Sequence, residues 1–246
     1  MTRTLLELAG DDGPCPVHRF APDGAGPWPA VLVLMDGLGM RPAMWELGAR
    51  LAAEGYLALM PDLFHRMAPY TPPAPATLFT DEAARAAWWK QTEASTSAAT
   101  ISRDLATCLA YLATAPDVRP GPIAVTGYCM GGRAALVAGG TFPDRFAAIA
   151  AYHPGRLVTD AADSPHRVAA GTRARVYVAA ATDDATFTVE HQAALTAALT
   201  AGGVRHLLET YPARHGWVPS DMPVHDPAAT ARHWQTLLAL LADELR

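Results

Sequence analysis

The chain of 246 residues is 50% hydrophobic and 17% charged, enough apolar material for a sizeable core and no composition for a disordered or fibrous protein. A formal net charge of −5 without a basic cluster excludes the electrostatic footprint of a nucleic-acid or membrane-surface binder. Cys15, Cys108 and Cys129 are widely spaced, with no Cys-x-x-Cys, which argues against a disulfide framework or structural zinc and for a reducing cytoplasm.

Residues 1–9 carry Arg3 and Glu7 and no long apolar stretch, so no secretion signal is expected there. The stretch around Cys15 and His18 gives no clear pattern. Residues 31–35 are continuously apolar, as strands of a parallel sheet tend to be. Pro42 opens a helix with Met44, Leu47 and Leu51 on one face, ending near Gly55, and residues 56–60 predict the next strand.

The rhythm then breaks. Pro69, Pro72, Pro73 and Pro75 lead into Trp88 and Trp89, and a lid or pocket loop is expected over residues 65–90. A helix over 98–112 stacks Ile101, Leu105, Cys108, Leu109 and Leu112 on one stripe. Strands follow at 123–126, 146–151, 175–181 and 206–211, with helices at 133–138 and 189–201. A last helix carries Trp234, Leu237, Leu238 and Leu241. This alternation predicts one α/β domain over residues 1–246, with a mostly parallel central sheet and helices on both faces.

Gly127-Tyr128-Cys129-Met130-Gly131-Gly132 joins a predicted strand to a predicted helix. A nucleophile between small residues at such a turn is lifted into an exposed, strained position. The helix N-terminus behind it favours a thiolate and a developing oxyanion. Cys129 is thus the expected nucleophile and the Met130 amide half of an oxyanion hole. Cys108 belongs to the core stripe.

A base is expected on a loop after a strand. His215 meets this after the last strand, and His153, also following a strand, is expected to line the pocket. His206 begins a strand, and His191 and His233 lie on helices. The orienting acid is expected after residues 175–181, where Asp183 and Asp184 both stand; Asp184 is chosen. The loop after the first core strand offers Gly37 as second oxyanion donor. Its neighbour Asp36 is either a turn aspartate capping local amides or a carboxylate modulating the thiol, and the second reading is preferred.

These residues together resemble the dienelactone hydrolase (carboxymethylenebutenolidase-like) family of the α/β-hydrolase superfamily, over nearly the whole chain. Gly-x-Cys-x-Gly-Gly at 127–132 is the most specific part, supported by residues 36–39, 56–63, the aspartate pair and His-Gly-Trp at 215–217. The resemblance implies an α/β-hydrolase fold, no cofactor, and hydrolysis of a small-molecule ester or lactone through an acyl-cysteine formed by Cys129, His215 and Asp184. Members acting on dienelactone hold its carboxylate with arginines, one about four residues after the histidine. Pro219 occupies that position here.

Leu38, Tyr70, Phe79, Trp88, Trp89 and Trp217 flank the site instead, so a less charged, aromatic or extended substrate is expected. Acyl transfer or thioester hydrolysis on the same triad, and a non-catalytic ligand-binding protein on the same fold, are the alternatives. No metal is expected, since His-x-His and His-Glu-x-x-His spacings are absent. A monomer or weak homo-oligomer completes the expectation.

Overall fold

The computed structural model describes residues 1–67 and 69–245. Its centre is β3 (Ala30–Leu34), β4 (Leu57–Pro61) and β5 (Ile123–Tyr128), every residue of which is buried. Next come β6 (Phe146–Tyr152), β7 (Arg175–Ala181) and β8 (His206–Tyr211), all parallel to their neighbours. Burial on both faces is why β3 to β7 are legible as largely apolar runs, whereas the edge strand β8 is partly exposed.

The other edge is an antiparallel hairpin of β1 (Thr2–Gly10) and β2 (Gly13–Ala21), closed at Asp11-Asp12 with Gly10 opposite Gly13. The eight strands run in the order β1-β2-β4-β3-β5-β6-β7-β8. The hairpin lies where no clear pattern is expected from the sequence.

Helices α4 (Ala98–Thr114), α5 (Met130–Thr141), α6 (Pro165–Ala169) and α7 (Val189–Ala201) pack against one another in succession. Helices α1 (Pro42–Ala53) and α8 (Pro227–Leu245) are joined by Arg50 over the Trp234 ring. Both α5 and α8 pack on β5 and β6, which places them on opposite faces. The architecture is the α/β-hydrolase fold.

Residues 65–90 are more regular than a proline-rich loop. Pro75 opens the short α2 (Pro75–Thr80), where a missing N–H costs nothing. Asp81 caps α3 (Glu82–Thr92) by accepting from the Ala84 amide at 2.9 Å. Among the described residues no helix is long and apolar enough to cross a membrane.

Parallel strands deliver their C-terminal ends to one edge. Gly37 follows β3, Cys129 β5, His153 β6, Asp184 β7 and His215 β8, so residues far apart in the chain converge there.

Candidate active site

Cys129 stands between β5 and α5 with φ 54° and ψ −113°, a left-handed backbone that costs a non-glycine residue on the order of 1–3 kcal/mol. The turn is held from both ends. The Cys129 amide donates to the Tyr152 carbonyl at 3.1 Å, and its own carbonyl accepts from Arg133 at 3.2 Å. A Cβ on Gly127 would sit 2.1 Å from the Gly131 carbonyl oxygen, and one on Gly131 2.2 Å from that of Leu34. Both neighbours are backbone, so only glycine allows strand and helix to approach this closely. The Met130 amide lies in the first turn of α5, where an N–H has no intrahelical acceptor.

His215 Nδ1 bonds Asp184 Oδ2 at 2.6 Å, which leaves Nε2 for the Cys129 thiol. The other Asp184 oxygen accepts from the Thr186 amide at 2.8 Å and its hydroxyl at 2.7 Å. Asp184 is buried; Asp183 is exposed at φ 55°. The pairing of the acid with His215 therefore falls to Asp184.

Burial opposes charge on His215, but the Cys129 thiolate and the Asp184 carboxylate outweigh it and hold the imidazole up to about 10. Burial likewise pushes Asp184 up, yet His215 and Thr186 together hold it below the usual carboxylate range. Thr186 carries no sequence signal beyond its closeness to Asp184.

Gly37 lies at the turn after β3, and its N–H donates to no protein group among the described residues. Its carbonyl accepts from Trp88 Nε1 at 2.8 Å, and a Cβ would sit 2.8 Å from the Trp89 ring. Residues before α4 thus fasten and cover the Gly37 turn.

Asp36 is taken up by its own turn and by Arg41. Its Oδ1 accepts from the Leu38 amide at 2.9 Å and from Arg41 Nη1 at 2.7 Å, and its Oδ2 from Arg41 Nη2 at 2.9 Å. The guanidinium fork neutralises this buried carboxylate, and none of its hydrogen bonds goes to Cys129. The turn-capping alternative describes it better. Arg41 also reaches Asp221 at 2.7 and 3.0 Å, tying the oxyanion loop to the loop beyond His215.

Sequence reasoning missed Arg41, although a signal was present: a cation at the N-cap of α1 is electrostatically misplaced unless carboxylates hold it.

Most of the expected pocket residues are structural. His153 and Trp217 are fully buried; His153 meets His215 edge-on at 5.3 Å and Trp217 at 4.8 Å. Trp217 stacks on Tyr211, and Trp88 and Leu38 are buried too. Tyr70 is a strut: its hydroxyl donates to Asp62 Oδ1 at 2.7 Å and accepts from the Met40 amide at 3.2 Å. Trp89, 41% exposed, is the aromatic left facing both Gly37 and solvent. Large apolar surfaces were buried as fold dictates, so adjacency in sequence to the site did not make them lining.

Arg133 and Arg156 line a cavity of about 250 Å³, together with Thr96, Ser102 and Thr159, and Arg133 interacts electrostatically with Cys129.

Cys15, His65 and Asp104 bring their ligand atoms within 4.8 Å of one another. Asp104, however, is already held by Arg66 at 2.7 and 2.8 Å and by His65 at 3.1 Å. Burial pushes the Cys15 thiol up to about 12. A guanidinium supplies the positive charge there, and the cluster is an ion-pair knot beneath the hairpin.

The profile of the dienelactone hydrolase family matches residues 16–245. A Synechocystis sp. protein named "Putative carboxymethylenebutenolidase" is 27% identical over 98% of this chain and 94% of its own. The structure named "Putative Dienelactone Hydrolase" from Klebsiella pneumoniae superposes with TM-score 0.84 at 22% identity, covering 98% of both chains. A dienelactone hydrolase from Anabaena variabilis gives 0.71 at 18% identity, over 100% of this chain and 99% of its own. With an α/β-hydrolase sheet and a strained Cys129 turn at its C-terminal edge, the chain belongs to the dienelactone hydrolase family and is a carboxylic ester hydrolase.

Proposed function

We propose that this enzyme opens a carboxylic ester or lactone through an acyl-cysteine on Cys129. The observation that carries the reading is the pairing of a strained, half-exposed Cys129 with a His215 whose far nitrogen is bonded to Asp184 at 2.6 Å. An imidazole held up to about 10 is protonated at neutral pH, and it faces the Cys129 thiol.

The Cys129 thiolate adds to the carbonyl carbon, and the amides of Gly37 and Met130 stabilise the oxyanion. Collapse breaks the acyl–oxygen bond, and His215 gives its proton to the leaving alkoxide. The neutral imidazole next takes a proton from water, whose oxygen attacks the thioester. The carboxylic acid departs and the thiolate–imidazolium pair returns. Asp184 stays ionised throughout and fixes the tautomer.

Hydrolysis of 4-nitrophenyl esters and simple lactones by wild type, abolished in Cys129→Ala, is the expected outcome. Retained turnover in that variant refutes the assignment.

A further inference from the structure

Asp184 opens a tight turn: its carbonyl accepts from the Phe187 amide at 3.1 Å, and its Oδ1 accepts from the Thr186 amide at 2.8 Å. An aspartate holding the amide two residues on is the ordinary device of such a turn and needs no hydroxyl. Yet the Thr186 hydroxyl donates to the same oxygen at 2.7 Å, and its Oγ1 also stands 3.5 Å from His215 Nδ1. The proton roles follow from the partners. A carboxylate only accepts, so Nδ1 carries the hydrogen of its 2.6 Å bond to Asp184 Oδ2. The threonine proton is already given to Oδ1, so what Oγ1 offers the Nδ1–H is a lone pair.

Thr186 is itself fixed from the neighbouring loop. Its carbonyl accepts from the Arg156 amide at 2.9 Å, where the chain is left-handed at φ 56°. A Cβ on the buried Gly155 would sit 2.8 Å from Thr186 Oγ1 and 3.5 Å from His215 Cε1. The loop after β6 therefore lies against hydroxyl and imidazole together, and glycine leaves the hydroxyl room to stay on Asp184. Thr186 is exposed and fills no core, so the loss of its hydroxyl should cost the fold little.

We propose that Thr186 is a positioning residue for the base. The inference rests on the reading of His215 as the proton carrier of acyl-cysteine chemistry at Cys129. Two donors on Oδ1 aim the other oxygen of Asp184 at Nδ1, and the lone pair of Oγ1 limits how far the imidazole swings as it hands its proton to the leaving alkoxide.

The test is Thr186→Val, which keeps the shape of the side chain and removes the hydroxyl, beside Thr186→Ser, which restores it. On a 4-nitrophenyl ester, kcat of Thr186→Val should fall about ten- to a hundredfold, as for a lost hydrogen bond to a charged group, with KM within about twofold of wild type. Thr186→Ser should recover most of kcat. The proton on His215 Nδ1, a far-downfield line in the proton NMR spectrum that His215→Gln should lack, should shift or broaden in Thr186→Val and return in Thr186→Ser. Wild-type kcat in Thr186→Val, an unmoved Nδ1–H line, a loss carried by KM, or a loss that serine does not restore overturns the positioning role. Turnover of the ester by Cys129→Ala would instead overturn the nucleophile, and the Nδ1–H line, read without substrate, would still decide Thr186.

Discussion

Arg41 and Asp221, 180 residues apart in the chain, meet through two hydrogen bonds of 2.7 and 3.0 Å. The same guanidinium holds Asp36 at 2.7 and 2.9 Å, so one side chain couples the turn of Gly37 to the loop that follows His215. Burial opposes the Arg41 charge, and the two carboxylates more than restore it. Arg41→Met leaves Asp36 buried and unpaired, and should cost about 3–5 kcal/mol in denaturant unfolding. Adding Asp36→Asn should recover most of the stability while kcat stays low, because the loops are no longer coupled. Full recovery of kcat would show the bridge to be structural alone.

Asp184→Asn should lower kcat/KM on the order of 10³-fold or more, since the amide can neither fix the imidazole tautomer nor stabilise its charge. Asp183→Asn, at an exposed position without a bond to His215, should stay within about twofold of wild type, as surface substitutions do. Parallel kinetics on one aryl ester separate the two.

The pH profile follows from His215. Its value rises from 6.5 to about 10 in the fold, so its contribution to stability is complete below about 6.5 and lost as pH rises through about 10. Activity needing the imidazolium should share that alkaline limb: kcat/KM should fall above about pH 10. Asp184→Asn should move the limb downward. A limb at pH 6–7 with activity rising above it would mean a neutral imidazole at rest.

Gly131→Ala should be severe for its size. The added methyl would meet the Leu34 and Met35 carbonyl oxygens at 2.2 and 2.5 Å, and no side chain there can turn away. Overpacking costs about 1–3 kcal/mol or more, read as a lowered melting temperature, with loss of activity because the turn of Cys129 rests on this contact.

What was legible in the chain was what is local or buried on both sides. The strands from β3 to β7 announce themselves because each is largely apolar, and the turn at Cys129 because its glycines lie within four residues of it. Strand order narrows the base to His215 or His153 and the acid to Asp183 or Asp184, and packing decides which pair meets. The β1–β2 hairpin was hidden because Pro14 and Pro16 interrupt its pattern and most of β1 is exposed. α2 and α3 were hidden because residues 65–92 are rich in proline and carry few buried apolar positions.

The site's supports were hidden for another reason. Arg41 and Asp221 share no local pattern, and whether Trp217 or His153 faces solvent depends on what packs over them.

The central claim is covalent chemistry at Cys129. Mixing the enzyme with excess 4-nitrophenyl ester, quenching in acid within the first turnovers and mapping the adduct by mass spectrometry tests it directly. A mass increase equal to the acyl group, confined to the peptide containing Cys129 and absent from Cys129→Ala, is the predicted result. Hydrolysis with no adduct on that peptide, or with the acyl group on another residue, would contradict it.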